Sequence, residues 1–488
     1  MKELKEILYK VNLEMVVGST EVMINTIQFD SRAVGKDDVF VALKGSVVDG
    51  HEYVEKAISA GAAVIVMEHI IDYQVPGVTY VQVVDAHVAL AFMAVNFYEN
   101  PAKSLKLIGV TGTNGKTTTT SLLYQLFKKS GYKTGLISTV EIRIHDTVVP
   151  AKHTTPDPLT INMHLAAMRD AGVDYCFMEV SSHGIHQQRV TGLEFAGGIF
   201  TNLSHDHLDY HKTFEAYRDV KKRFFDMLPA TAFALTNKDD KNGDYMLQNS
   251  KARKRGYALK SYTDYRAQII ENQFGGLNLK VNEHELWTKM IGAFNAYNVL
   301  AIYACAVELG LEELEVLEVI SKLEGVSGRF EYFTTLKNKV TAIVDYAHTP
   351  DALKNVLETI NSIRTKNENL ITVIGCGGDR DKTKRPVMAN IAAALSTQAI
   401  FTSDNPRTED PAVILQEMEA GVQPIDFKKT MTIQDRMQAI KAAAIMAQPN
   451  DIILIAGKGH ESYQEIMGVR ADFDDRKIIL QLLKSLDK

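Results

Sequence analysis

The chain has 488 residues, with 54 lysines and arginines against 60 aspartates and glutamates and a formal net charge of −6. Such a balance provides no general basic field for nucleic acid or an anionic membrane surface, so an anionic ligand has to be met by local groups. Single cores stop growing near about 250–300 residues, and this length fits three domains.

In chain order, Met1 to Met15 mixes charged and apolar residues and lacks the apolar centre of a signal peptide. No later stretch reaches about 18 uninterrupted apolar residues, so a cytoplasmic protein that does not span a membrane is expected. Residues 1–101 read as a small α/β unit, with strands at Val39–Leu43 and Ala63–Val66 and a helix near Tyr53–Ala60. Asp30-Ser31-Arg32 is a turn-like polar cluster, and Asn100-Pro101 marks a linker. Residues 102–328 alternate helical patterns with strands at Lys106–Val110, Tyr175–Val180 and Phe195–Thr201, which predicts a mainly parallel sheet. Residues 329–488 repeat the alternation, with buried strands at Thr341–Val344, Leu370–Ile374, Ala399–Thr402 and Ile452–Ile455. In open α/β sheets the loops at the carboxyl ends of such strands bind ligands. Cys176, Cys305 and Cys376 lie far apart, which argues for a reducing compartment and for thiols that act as small buried hydrophobes.

The strongest local signal is Gly112-Thr113-Asn114-Gly115-Lys116-Thr117, between an apolar run and a helical pattern from Thr118 to Lys129. Glycines there let backbone N–H groups surround a polyphosphate, Lys116 can reach its terminal oxygens, and the Thr117 hydroxyl suits Mg²⁺. The common phosphate loop has Gly where this chain has Val110. Glu179 ends a strand beside the loop and is a natural magnesium ligand, because that ion prefers hard oxygen donors. His205-Asp206-His207-Leu208-Asp209-Tyr210-His211 gathers histidines and aspartates without the Cys and His pairs of a structural zinc site.

Taken in order, the phosphate loop, Glu179-Val180-Ser181-Ser182-His183, Thr201-Asn202-Leu203 with Asp206-His207-Leu208-Asp209, and Gly292-Ala293-Phe294-Asn295-Ala296-Tyr297-Asn298 resemble the Mur ligases. Gly328-Arg329-Phe330-Glu331, Asp345-Tyr346-Ala347-His348-Thr349-Pro350 and Gly457-Lys458-Gly459-His460-Glu461 extend the match over the whole chain. The resemblance implies an N-terminal UDP-sugar-binding domain, a central ATPase domain and a Rossmann-like C-terminal domain that receives an amino acid. It implies that ATP phosphorylates the D-Glu carboxylate of UDP-N-acetylmuramoyl-L-Ala-D-Glu and that an amine then displaces phosphate, in a monomer. Lys116 and His207 would be catalytic, with a carbamoylated Lys221. Mg²⁺ would be held by Thr117, Glu179, His207 and Lys221. Asn295, Asn298, Arg329, Asp345 and His348 would clamp the nucleotide. Ser31, Thr154, Thr155, Ser181, Gln187 and Arg189 would hold the UDP-sugar substrate, with His153 where the family often has Asn.

Which amine enters is read from Gly375–Asp381, Asp404-Asn405-Pro406-Arg407 and Gly457–Glu461. Arg380 and Arg407 supply guanidiniums, while Asp404 and Glu461 supply carboxylates, which matches meso-diaminopimelate, with two carboxylates and two ammonium groups. Lysine would leave Arg407 without its partner. The Asp-Asn-Pro-Arg string also resembles the diaminopimelate-adding members. A lysine-adding homologue, a folylpolyglutamate-type ligase and a nucleotide-dependent switch are the alternatives.

Overall fold

The computed structural model describes residues 1–45, 48–69 and 74–488, arranged as three α/β units, each built on one main sheet, with two-stranded ribbons added in the first and third. In the first, Thr79–Val83, Ala62–Met67, Asp38–Val41 and Ile27–Gln28 run parallel, and Leu13–Val17 closes one edge antiparallel. The Asp85 carboxylate accepts from the Val88 N–H and starts the helix Ala86–Phe97, which buries Leu90 and Met93 against one sheet face.

The central sheet has 11 strands. Its parallel centre runs Thr134–Ile137, Tyr175–Glu179, Lys106–Thr111, Gly197–Phe200, Phe233–Asn237, Arg253–Ala258 and Tyr265–Gln273. Antiparallel strands extend both edges: Glu141–Ile144 and Thr147–Pro150 on one side, Gly276–Val281 and His284–Thr288 on the other. Helices Lys116–Lys129 and Ala293–Glu308 cover one face, and Pro158–Asp170 and Phe214–Asp226 the other. Two strand glycines bring the last of these close to the sheet. A Cβ at Gly109 would lie 2.5 Å from the Phe224 ring, and one at Gly198 2.9 Å from it. This close seat, with the Thr213 hydroxyl capping the helix at Ala216 N–H, sets the helical phase of Lys221.

The third sheet has six strands in the order Glu331–Thr334, Thr341–Asp345, Ile452–Ala456, Leu370–Ile374, Gln398–Phe401 and Thr430–Thr432. All pairs but the first are parallel. The expected strands are present with ends moved by a residue or two. The antiparallel hairpins at the edges of the central sheet go beyond the expected alternation.

Candidate active site

A cavity of about 900 Å³ opens between the central and third units and is lined from both. The strand Lys106–Thr111 delivers the phosphate loop to its floor. Val110, at the position where a glycine is usual, is a fully buried strand residue whose carbonyl accepts from the Val180 N–H. The chain turns two residues later at Gly112, where φ is +151° and a Cβ would lie 1.9 Å from the Thr201 hydroxyl. Gly115 (φ +86°) then precedes the helix Lys116–Lys129, whose free N–H groups face the cavity. The loop is held from behind. Asn202 accepts from the Asn114 N–H at 2.9 Å and donates to its carbonyl at 3.1 Å, and the Thr201 hydroxyl donates to that carbonyl at 2.6 Å.

Lys116 donates to the carbonyls of Gly112 and Thr113, at 2.8 and 2.7 Å. Lys221 is 1% exposed and donates to the same Gly112 carbonyl at 2.8 Å. It is no solvated lysine: burial, and then the neighbouring Lys116, hold its amine well below the usual range. Lys222 next to it is also buried but pairs with Asp226 at 2.7 Å. Glu179 is fully buried and accepts from the Thr139 N–H (2.8 Å) and hydroxyl (3.2 Å), so it fixes that loop as well as lining the cavity. His207 adopts φ +55° and stands 3.3 Å from the Asp206 carboxylate, edge-on to His183. Burial, and then the neighbouring His183, lowers its pKa and keeps the imidazole neutral, whereas Asp206 stays ionised.

The histidine-rich segment does not converge on one point. His205 is exposed and turns toward Asp381, while His211 packs on Tyr217. Among the described residues no three His, Cys, Asp or Glu side chains form a metal-binding group. The Thr117 hydroxyl, the Glu179 carboxylate and the His207 imidazole all line the cavity, a donor set that fits Mg²⁺ in the company of phosphate oxygens.

The third unit closes the cavity over the loop. Arg329 donates to the Thr117 hydroxyl at 2.9 Å and lies 4.5 Å above the Tyr346 ring. The Asn114 amide reaches Asp351 at 3.1 Å. Asp345 accepts from the Phe330 N–H at 2.6 Å, and burial raises its pKa to about 6. His348 lines the wall, its pKa lowered to about 4 by burial and then by Lys384. Asn298 also lines it, but Asn295 stands a layer behind: its amide is used on the Ile291 carbonyl and its oxygen accepts from Asn298. Of the expected sugar-side residues, Thr154, Thr155, Ser181 and Arg189 line the cavity and Gln187 does not. Gln187 accepts from Arg189 at 2.6 Å and so aims the guanidinium, which also donates to the Thr155 carbonyl. Ser31 lies in the first unit, beside the Asp30–Arg32 ion pair, and is not among the lining residues.

On the amine side Arg380, Asp404, Asn405, Arg407, Gly457 and Glu461 line the wall, with Pro406 buried behind it. Arg407 has φ +52° and donates to the Gly378 carbonyl at 2.7 Å. The hairpin Tyr463–Ile466/Val469–Asp472 holds it there: Arg407 N–H donates to Glu465 and Met467 N–H to Arg407. Asn405 donates to Glu461 at 2.8 Å and accepts from the fully buried Lys458 at 3.1 Å. Burial, followed by the nearby Asp404, raises the pKa of Glu461.

Family comparisons agree with this arrangement. Residues 23–98 match the "Mur ligase family, catalytic domain", 110–306 the "Mur ligase middle domain", and 328–459 the "Mur ligase, glutamate ligase domain". The chain belongs to the Mur ligase family. It is 52% identical over 487 residues to the UDP-N-acetylmuramoyl-L-alanyl-D-glutamate–2,6-diaminopimelate ligase of Cytophaga hutchinsonii, covering 100% of both chains. It is 50% identical to the enzyme of that name from Parabacteroides distasonis, covering 99% of both. A solved structure of a ligase of that name superposes with TM-score 0.69 at 31% identity, covering 100% of this chain and 99% of the other. The MurF ligase of Thermotoga maritima, solved with ADP, shares the fold with TM-score 0.63 at 19% identity, covering 95% and 98%.

Within this Mur ligase cavity several contacts escaped the sequence reading. Asn202 and Asp206 were legible as polar residues after a strand, but their partners were not. Arg385, fully buried, donates to the Gly377 carbonyl and pairs with Glu409 at 2.9 Å and Glu417 at 2.6 Å, which fastens the two amine-side loops together. Lys384 and Lys458 are buried cations that periodicity gave no reason to single out.

Proposed function

We propose that the chain uses ATP to join meso-diaminopimelate to the D-Glu carboxylate of UDP-N-acetylmuramoyl-L-Ala-D-Glu in peptidoglycan precursor synthesis. The observation that carries this reading is one cavity lined by a phosphate loop from the central unit and, from the third unit, by Arg407, which has no carboxylate partner among the described residues, and by Asp404 and Glu461. Arg407 suits the free carboxylate of the incoming amino acid, and Asp404 and Glu461 suit its distal ammonium. Arg189, aimed by Gln187, suits an anionic group of the UDP-linked substrate, with Thr154, Thr155 and Ser181 around it.

The reaction follows from the walls. Lys116 and the N–H groups at the start of its helix hold the ATP phosphates, and Arg329 approaches from the other domain. The substrate carboxylate attacks the γ-phosphorus, ADP leaves, and the resulting acyl phosphate is attacked by the amine. Mg²⁺ would be held by Thr117, Glu179 and His207, and when bound it supplies charge neutralisation on the phosphate oxygens. Lys221 suits carbamoylation: burial favours the uncharged form of its amine, which can attack CO₂ and lose a proton, leaving an anionic oxygen donor where an ammonium would repel the metal. No helix of the described residues is long and apolar enough to cross a membrane, and a soluble cytoplasmic monomer fits the substrates.

The test is ATP turnover with the UDP-muramoyl dipeptide, with and without meso-diaminopimelate, with product mass as the readout. Amine-dependent phosphate release and an amide product are expected. Release that ignores the amine would sink the reading in favour of a nucleotide switch.

A further inference from the structure

Lys384 sits where a lysine is electrostatically unwelcome. It is 9% exposed, and it opens the helix Lys384–Leu395, where unpaired backbone N–H groups already present positive charge. Its neighbours are paired: Lys382 with Glu409, Arg385 with Glu409 and Glu417. Among the described residues no carboxylate stands within ion-pair distance of Lys384, and its one hydrogen bond is to the His348 carbonyl at 3.0 Å. A buried ammonium held against a positive helix end without a counter-ion is a strong sign of an anion to be met there.

The location says which anion. Lys384 lines the cavity, its helix starts just after the Gly375–Asp381 loop on the amine side, and its Nζ donates to the carbonyl of His348 on the wall expected to clamp the nucleotide. It therefore stands between the wall that holds the phosphates and the wall that holds the amine. In the proposed ligation the group between those two is the acyl carbon. We propose that the Lys384 ammonium donates to the acyl oxygen of the activated substrate and carries its negative charge while the amine attacks.

This role rests on the ligase reading above. The amine lone pair forms the C–N bond as the C=O π pair moves onto oxygen, giving an oxyanion opposite Lys384. The oxyanion then re-forms C=O, the bond from carbon to the phosphate oxygen breaks, and phosphate leaves with the electron pair. The nitrogen gives its extra proton to the departing phosphate. Donors fixed in advance against such an oxygen act mainly on the transition state, and loss of one typically lowers turnover about 10²–10³-fold.

The test compares wild type, Lys384→Met and Lys384→Arg at full length. For Lys384→Met the expected loss is about 10²–10³-fold in kcat, with KM for ATP and for diaminopimelate within about threefold. Its first-turnover ADP formation should survive, with acyl phosphate trapped by borohydride, and its Tm should equal or exceed wild type because an unpaired buried cation has gone. Lys384→Arg should retain more turnover than Lys384→Met. Unchanged kcat, loss of ADP formation in step with amide formation, or a lowered Tm would each overturn the assignment. A wild-type protein that makes no amide would refute the ligase reading and this role with it. A wild-type protein that does, beside a fully active Lys384→Met, would refute this role alone.

Discussion

Removing the Arg407 side chain should damage one substrate and spare another. Among the described residues the guanidinium makes one hydrogen bond, to the Gly378 carbonyl at 2.7 Å, and no carboxylate pairs with it. Its remaining donors are free for a ligand carboxylate. Hydrogen bonds to charged groups contribute about 1.5–3 kcal/mol, and 1.4 kcal/mol is a factor of ten, so Arg407→Ala should raise KM for diaminopimelate by about 10- to 150-fold. In the proposed reaction ATP would be held by Lys116 and Arg329 on other loops, so its KM should hold within about threefold. Backbone strain is separable from side-chain loss, because φ is +52° at this position and glycine relieves a left-handed conformation that alanine keeps. Arg407→Gly and Arg407→Ala should therefore show the same KM rise, measured by steady-state phosphate release with each substrate varied in turn. Equal damage to the KM values of ATP and diaminopimelate in both variants would refute the assignment.

Arg385→Met should destabilise the third unit, because it strands two carboxylates that now share a fully buried guanidinium. Breaking such a pair costs about 3–5 kcal/mol, less here to the extent that Glu417 is partly exposed; a Tm no lower than wild type would contradict the clamp. Glu409 is held at about 2 chiefly by the Arg385 hydrogen bond, against an ordinary 4.5. Its native form thus binds fewer protons than the unfolded form between these values, so its contribution is complete above about pH 4.5 and is lost as pH falls toward 2. Denaturant titrations of Glu409→Gln across that window should show a flatter pH dependence than wild type, and parallel curves would count against it. Lys221→Ala should lose activity that short carboxylates partly restore, whereas wild-type turnover in that variant would exclude a carbamate role.

Much of this architecture was legible because it is local. The glycines of the phosphate loop, the helical period that follows and the apolar strands ending at Glu179, Asp345 and Ile374 are written in consecutive residues. The amine-side strings Gly375–Asp381 and Asp404–Arg407 were legible for the same reason, as polar loops after buried strands. What periodicity cannot carry is pairing at long range. Arg329 meets Thr117 across the domain boundary, Arg385 meets Glu409 and Glu417 across two loops, and the hairpin after Ser462 fixes the backbone of Arg407. The spatial spread of the histidine segment was likewise not legible in the sequence. The chain is left-handed at His207, His205 is exposed and His211 packs on Tyr217, so residues adjacent in sequence do not share a centre.

The central claim is that this pocket was built for an amine carrying a second carboxylate. The most direct measurement offers meso-diaminopimelate and L-lysine in competition at equal concentration, with ATP and the UDP-muramoyl dipeptide, and resolves the two products by mass. The account predicts that the diaminopimelate amide dominates in wild type and that the bias shrinks by about 10- to 150-fold in Arg407→Ala. A wild-type preference for lysine, or a bias that Arg407→Ala leaves unchanged, would contradict it.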